Sequence, residues 1–253
     1  MMHRSSFVAT VAATILFQID ARAAVVAQST FVANNDNWTV TFGANNSGSA
    51  TFNAADGVPA GSLRSTDRPD LNATWYFQSS NVPGTTFYGD MSAAYGIRLT
   101  YDLKRFTDPG AEYYTESGAT VYTVRLNGLV DADMNGSLET SMTLGFSSPS
   151  LTPTTTGEWK HFSVPLVASA GWYRDFPVST DVPATESQMM AVLLNLRQIE
   201  IRGNYSLPIG DSTGLDNVTL VPEPAGCAIA FLLAVTLSGI DRRRLRHNRR
   251  FRA

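Results

Sequence analysis

Between residues 131 and 139 the chain reads Asp131-Ala132-Asp133-Met134-Asn135-Gly136-Ser137-Leu138-Glu139, with side-chain oxygens at alternate positions and glycine at the sixth. This is the first-half spacing of a twelve-residue calcium loop, where such oxygens close round the cation and the glycine permits a sharp turn. Position twelve, where a bidentate carboxylate belongs, is Met142. Asn135-Gly136 is also a strong hairpin former, so the stretch reads first as a turn. If calcium is held there by Asp131, Asp133 and Asn135, Glu139 or a neighbouring loop completes the shell at modest affinity.

Five aromatic residues have the chemistry to stack on a sugar ring: Trp75, Tyr76, Trp159, Trp172 and Tyr173. Trp75 and Trp159 lie in or beside alternating segments, which predicts core packing for both. Trp172-Tyr173 follows Gly171 and is expected in an exposed loop. That pair is the preferred ligand-binding candidate.

Catalysis finds little to work with. Between residues 24 and 220 the one histidine is His161, and no Gly-x-Ser-x-Gly elbow accompanies it. There is no His-Glu-x-x-His pair, no phosphate-cradling glycine loop and no cysteine cluster. Paired carboxylates for glycoside hydrolysis are not singled out by any spacing. The expectation is a protein that is not an enzyme, with a glycan-active hydrolase using unrecognised carboxylates as the alternative.

The elements that position these residues follow from a period of two. Trp38, Val40 and Phe42 alternate with threonines, Ala50-Thr51-Phe52 is a short candidate, and Asp56 to Asp70 reads as a loop. Further strands are predicted at Ala73–Phe77, at Ile97/Leu99/Tyr101/Leu103 and at Tyr122/Val124/Leu126. Met142/Leu144/Phe146, Phe162/Val164/Leu166, Ile199/Ile201 and Val218/Leu220 complete the set. Thr185-Glu186-Ser187-Gln188 forms a capping box, with Met189, Val192, Leu193 and Leu196 on one helical face. The predicted class is all-β: a jelly-roll-like antiparallel β-sandwich with one short helix, followed by a C-terminal membrane helix.

Both ends of the chain carry addresses. His3 and Arg4, the apolar run Phe7 to Phe17 and Ala21-Arg22-Ala23 predict a secretory signal peptide over residues 1–23, with cleavage after Ala27 as the alternative. Pro222-Glu223-Pro224 breaks the chain near the other end. An apolar run from Ala225 to Ile240, which holds the only cysteine, Cys227, is marginally short for a spanning helix. Arg242, Arg243, Arg244, Arg246, Arg249, Arg250 and Arg252 follow and belong on the cytoplasmic side. Between residues 24 and 220 lie ten of the 19 Lys+Arg and nineteen of the 22 Asp+Glu, a charge of about −9. Such a surface repels nucleic acid.

The tripartite tail resembles the PEP-CTERM sorting signal of Gram-negative bacteria rich in exopolysaccharide. That resemblance implies an exosortase as partner, a transient membrane anchor over residues 221–253, and a destination at the cell surface or in the extracellular matrix. Within a predicted domain over residues 24–220, the stretch from about Ala73 to Leu220, and more loosely back to Phe31, resembles the laminin IV (laminin B) domain. The resemblance is carried by Trp75-Tyr76-Phe77, Phe87-Tyr88-Gly89-Asp90, the Ala94–Leu103 strand, Glu158-Trp159, Phe162–Leu166 and Gly171-Trp172. It continues through Gln198–Tyr205 and Gly214–Val218. Ile97 stands where the family has a second glycine. The resemblance implies a jelly-roll sandwich shaped like carbohydrate-binding modules, and no enzyme. It also implies a structural calcium held by Asp216 on the last strand, with Asp36 as the opposing ligand; the alternative for Asp216 is a turn aspartate bonded to nearby backbone. The functional expectation is a non-catalytic surface or matrix protein that associates with extracellular polysaccharide or with matrix proteins. A self-assembling structural component is the third reading.

Overall fold

The computed structural model describes residues 25–42, 46–67, 74–106, 122–131, 140–174, 182–205 and 211–221. The signal peptide, Asp133 and Asn135, and the tail from Pro222 onward, with Glu223, Pro224, Arg242, Arg243 and Arg244, lie outside the described residues. Within the described residues no helix is long and apolar enough to cross a membrane.

In chain order the elements are β1 (Ala27–Ser29), β2 (Thr39–Phe42), β3 (Asn46–Ser49), β4 (Thr51–Asn53), β5 (Ser62–Thr66), β6 (Trp75–Gln78) and β7 (Arg98–Arg105). There follow β8 (Val124–Val130), β9 (Thr140–Phe146), β10 (Trp159–Pro165), β11 (Trp172–Arg174), β12 (Val182–Pro183), α1 (Glu186–Leu194), β13 (Leu196–Arg202) and β14 (Ser212–Val221). The strands form two antiparallel sheets. One has the order β10-β7-β14-β5-β4, with β1 also paired to β14; the other runs β12-β11-β9-β8-β13-β6-β2-β3.

Alternation decides which side chains meet between the sheets. On β7, Leu99, Tyr101 and Leu103 are buried while Arg98, Thr100, Asp102 and Lys104 reach outward. On the facing sheet Val40, Phe77, Val124, Leu126, Ile199 and Ile201 have no exposed surface. Burying such faces on one another is the driving force for a sandwich. Within the eight-stranded sheet a glycine makes room for a large inward ring: Gly203 donates its N–H to the Trp75 carbonyl at 2.9 Å, and a Cβ on it would meet the Trp75 ring at 1.9 Å.

The helix has the predicted cap. The Thr185 hydroxyl accepts the Gln188 amide N–H at 3.2 Å, and the Thr185 N–H donates to Gln188 Oε1 at 2.9 Å. Met189, Val192 and Leu193 are buried, and a Cβ on Gly128 of β8 would lie 2.7 Å from the Val192 carbonyl oxygen. The helix therefore sits directly on the strand backbone. Thr185→Ala is expected to cost about 1 kcal/mol, read as a lowered urea midpoint at unchanged m-value.

Three expectations need correction. Leu196 leaves the helix and opens β13, because its N–H and C=O pair with Gly89 rather than continuing the helical ladder. The stretch predicted as a loop from Asp56 contains β5, whose one large apolar residue, Leu63, gave no alternation to read. Trp172 belongs to a short strand, not to a loop.

Candidate ligand-binding face

The outer face of the eight-stranded sheet is built by register. Tyr173 stands opposite Gly145, Gly145 opposite Arg125, Arg125 opposite Glu200, Glu200 opposite Gln78, and Gln78 opposite Thr39. These six residues form one row across β11, β9, β8, β13, β6 and β2. At about 4.8 Å per strand the row is about 24 Å long. A second row passes through Thr143, Asn127 and Gln198, and a third through Arg202, Tyr76 and Thr41.

The polar groups of this face hold each other in place. Gln78 Nε2 donates to Glu200 Oε1 at 2.7 Å, and Arg125 Nη1 lies 3.7 Å from Glu200 Oε2. Thr143 Oγ1 donates to Asn127 Oδ1 at 2.6 Å, and Gln198 Nε2 donates to the Ser79 carbonyl at 3.1 Å. The Arg125 guanidinium reaches across β13 to lie 4.5 Å above the Tyr76 ring, and Arg202 lies 5.3 Å from the Tyr205 ring centroid. Tyr76 Oη donates to the Tyr122 carbonyl at 3.0 Å. Tyr122 lies flat on Gly145, where a Cβ would meet its ring at 2.3 Å, and its centroid is 6.5 Å from that of Tyr173. The face is a pre-ordered sheet of planar polar groups with tyrosines among them.

The expected Trp172-Tyr173 pair is split by the pleat. Tyr173 is half-buried on the outer face. Trp172 points inward, with no exposed surface, its indole N–H donating to the Pro165 carbonyl at 2.8 Å and its ring 5.3 Å from Phe146. A ring covered on both sides has no face left for a sugar. Trp75 is buried as predicted, packed on Phe42 and Phe77. Trp159 departs from its expectation: it lies half-buried on the outer face of the six-stranded sheet, across Gly214, with Nε1 donating to Asp56 Oδ1 at 3.1 Å. Phe162 and Val164 take the inward positions of β10, so Trp159 falls on the other parity.

Asp216 is buried beneath a loop, at a bulge in the β14–β7 ladder. Its Oδ2 accepts the Val58 N–H and its Oδ1 the Asn217 N–H, both at 2.7 Å. Asp102 is its cross-strand partner. Asn217 Nδ2 donates to Asp102 Oδ2 at 2.8 Å and to the Val58 carbonyl. Asp56, on the same loop, accepts from Lys104 at 3.0 Å. Burial, with Asp102 and Asp56 adding repulsion, pushes the Asp216 carboxyl up to about 6 against the opposing pull of the two N–H donors.

Asp36 lies in the turn that leads into β2. It sits in a left-handed turn (φ 46°), its N–H bonded to Asn34 Oδ1. Asp216 thus holds a loop through backbone bonds. Asp131 is half-exposed at the end of β8. Among the described residues no three His, Cys, Asp or Glu side chains converge as a metal centre requires. His161 lies on the edge strand β10, 65% exposed, with Nδ1 2.8 Å from Asp102 Oδ1.

Arg125, Asn127, Glu200, Gln78 and Arg202 were not singled out from sequence. Their signal was present only as the polar half of each alternating strand. Which polar halves share a face depends on strand order, and that is a long-range property.

Comparison with solved structures shows where this fold recurs. The L4b domain of human laminin alpha-2 superposes with a TM-score of 0.54 at 12% identity, covering 78% of this chain and 98% of that one. A family 11 carbohydrate-binding module from Clostridium thermocellum, solved in complex with a β-1,3-1,4-mixed-linked tetrasaccharide, gives 0.46 at 15% identity over 79% and 98%. A family 30 carbohydrate-binding module gives 0.41 at 13% identity over 80% and 84%. These likenesses concern fold. No curated protein matches the chain. The family model for Laminin B (Domain IV) matches residues 82–222, more than half of the chain. On that match, together with a two-sheet antiparallel sandwich shared with a laminin domain, the chain belongs to the Laminin B (Domain IV) family.

Proposed function

We propose that this is an exported, non-catalytic surface or matrix protein that binds polysaccharide along the outer face of its eight-stranded sheet. The carrying observation is the row Tyr173–Gly145–Arg125–Glu200–Gln78–Thr39. Sugar hydroxyls both donate and accept, and amide, carboxylate and guanidinium planes meet them with paired hydrogen bonds. Tyr173, the half-buried tyrosine of this face, adds an apolar surface for the sugar's C–H face together with a polar tip. The mutual bonds of Gln78, Glu200 and Arg125 mean that little side-chain freedom is lost on binding. A row spanning six strands suits an extended chain of sugars better than a small molecule. The leader-like start and the Pro-Glu-Pro, apolar and arginine-rich end support export, with an exosortase handling the tail and a transient anchor before release to the surface.

The test is affinity electrophoresis of the full chain through a panel of polysaccharides. Gln78→Ala, Asn127→Ala and Tyr173→Ala are each expected to weaken retention about three- to tenfold at unchanged Tm. A natively folded protein retained by no polysaccharide would falsify the reading. The export half is checked separately by intact mass of protein recovered from producing cells, which is expected to begin near residue 24 and to end near Pro224.

A further inference from the structure

We infer that the polysaccharide taken by this face is a neutral one, read through its hydroxyls by the side-chain amides of Gln78, Asn127 and Gln198; this rests on the polysaccharide reading above. The charged groups of the face are already engaged within the protein. One oxygen of the Glu200 carboxylate accepts from Gln78, and the other lies 3.7 Å from Arg125 Nη1. The Arg125 guanidinium is laid on the Tyr76 ring, and that of Arg202 lies 5.3 Å from the Tyr205 ring. The Nε atoms of both arginines are buried, which closes that edge of each fork to a ligand. A sugar carboxylate gives up its water at little cost only where a charged, open donor pair replaces it. Beyond the face, residues 24–220 hold ten basic residues against nineteen acidic ones, and the surplus of about −9 opposes the approach of a polyanion.

The unspent bonding capacity sits on uncharged groups. Gln78 and Gln198 donate through Nε2, to Glu200 and to the Ser79 carbonyl, and Asn127 accepts from Thr143 through Oδ1. Each amide is thereby fixed by one half and keeps the other: among the described residues no partner meets Gln78 Oε1, Gln198 Oε1 or Asn127 Nδ2. All three side chains are half-buried, so these halves reach solvent from a fixed base. Gln198 stands directly opposite Asn127 in the ladder, which sets a spare acceptor beside a spare donor with Cβ atoms about 5 Å apart. Gln78 stands opposite Glu200, two residues along β13 from Gln198, and repeats the acceptor. Neighbouring hydroxyls of a sugar, one donating and one accepting, meet such a pair without any charge on the ligand.

The experiment uses the full chain in competition, so that displacement of one polymer by another is counted and attraction of polyanions to the arginine cluster after residue 241 is not. A galactomannan and a β-glucan are each paired with their C6-oxidised forms, and alginate and polygalacturonate with their carboxyl-reduced forms; the members of a pair share a backbone and differ in charge. Neutral members are expected to displace a labelled neutral polymer at least about tenfold more effectively than their acidic twins. Raising salt from about 0.02 M to about 1 M is expected to narrow that gap while leaving neutral binding within about twofold. Glu200→Gln, which leaves Arg125 without its carboxylate, is expected to narrow the gap about threefold at low salt. Gln198→Ala is expected to weaken neutral binding about three- to tenfold at unchanged Tm. Thermal melts establish that each variant keeps its sandwich, and the salt series on the wild type needs no variant at all. Acidic members that compete as well as their neutral twins, or a gap that widens with salt, overturn this inference and leave the polysaccharide reading standing. A gap unmoved by a folded Glu200→Gln variant, or neutral binding unmoved by Gln198→Ala, overturns the assignment to this face. Binding to no polymer of either kind overturns both readings.

Discussion

Trp172→Ala is expected to lower stability by about 3–5 kcal/mol, the range for truncating a fully buried large aromatic, and to lower Tm by roughly 10 °C. Trp172 has no exposed surface, packs on its cross-strand neighbour Phe146, and donates its indole N–H to Pro165. Truncation opens a cavity at the β9–β11 pairing and leaves that carbonyl without its donor. Trp172→Phe keeps most of the apolar area and is expected to cost about 1 kcal/mol, the net value of the hydrogen bond. Urea unfolding measures all three proteins. A Trp172→Ala variant that melts with the wild type but no longer binds polysaccharide would show the ring to be a contact residue rather than a core one.

Changing pH from 4 to 7 is expected to destabilise the sandwich through Asp216, by on the order of 1–3 kcal/mol. Its carboxyl is raised to about 6 from an ordinary 3.8. The folded state therefore favours the protonated acid. That stabilisation is fully present below about pH 4 and is lost as pH climbs through about 6, where Asp216 ionises beside Asp102 and Asp56. Asp56 and Glu158 act in the opposite sense, since their donors hold them below the usual carboxylate range. Their contribution is lost only as pH falls below about 4, outside this window. Asp216→Asn is expected to flatten the curve of Tm against pH and to raise Tm at pH 7.5 relative to the wild type. A wild-type curve already flat between pH 4.5 and 7.5, or one left unchanged by Asp216→Asn, would remove Asp216 from this role.

The two residues show what sequence made legible. Alternation on β7, β13 and β14 named the inward side chains correctly, because a period of two is a local property of the strand; ahead of β8 it grouped Tyr122 with Val124 and Leu126, whereas that ring lies over Gly145 on the outer face, because Tyr122 precedes the strand. It also named the helix, because Thr185 and Gln188 are neighbours in sequence. Trp172 was misplaced because a three-residue strand after Gly171 is too short to display a period. Its burial depends on Phe146, twenty-six positions away. Asp216 was singled out as a candidate calcium ligand, but its neighbours Val58, Asp56 and Asp102 are brought to it only by the closed sheet. The proposed binding face was the least visible of all. Arg125, Glu200 and Gln78 come from three strands adjacent in space and scattered along the chain.

β14 runs through the middle of its sheet, bonded to β7 on one side and to β5 and then β1 on the other. Ala27 lies opposite Leu220, so the described chain comes in and goes out at one corner. Were the molecule held through the segment after Val221 and pulled on by its far sheet, tension would run along the axis of β14. Ladder bonds on both flanks of a ten-residue strand then share the load together, in shear, and none can give before its neighbours do. Pulled instead from Val25, the same corner is held by the pairing of a three-residue strand. The fold has a strong handle and a weak one side by side, and the strong one is at residue 221.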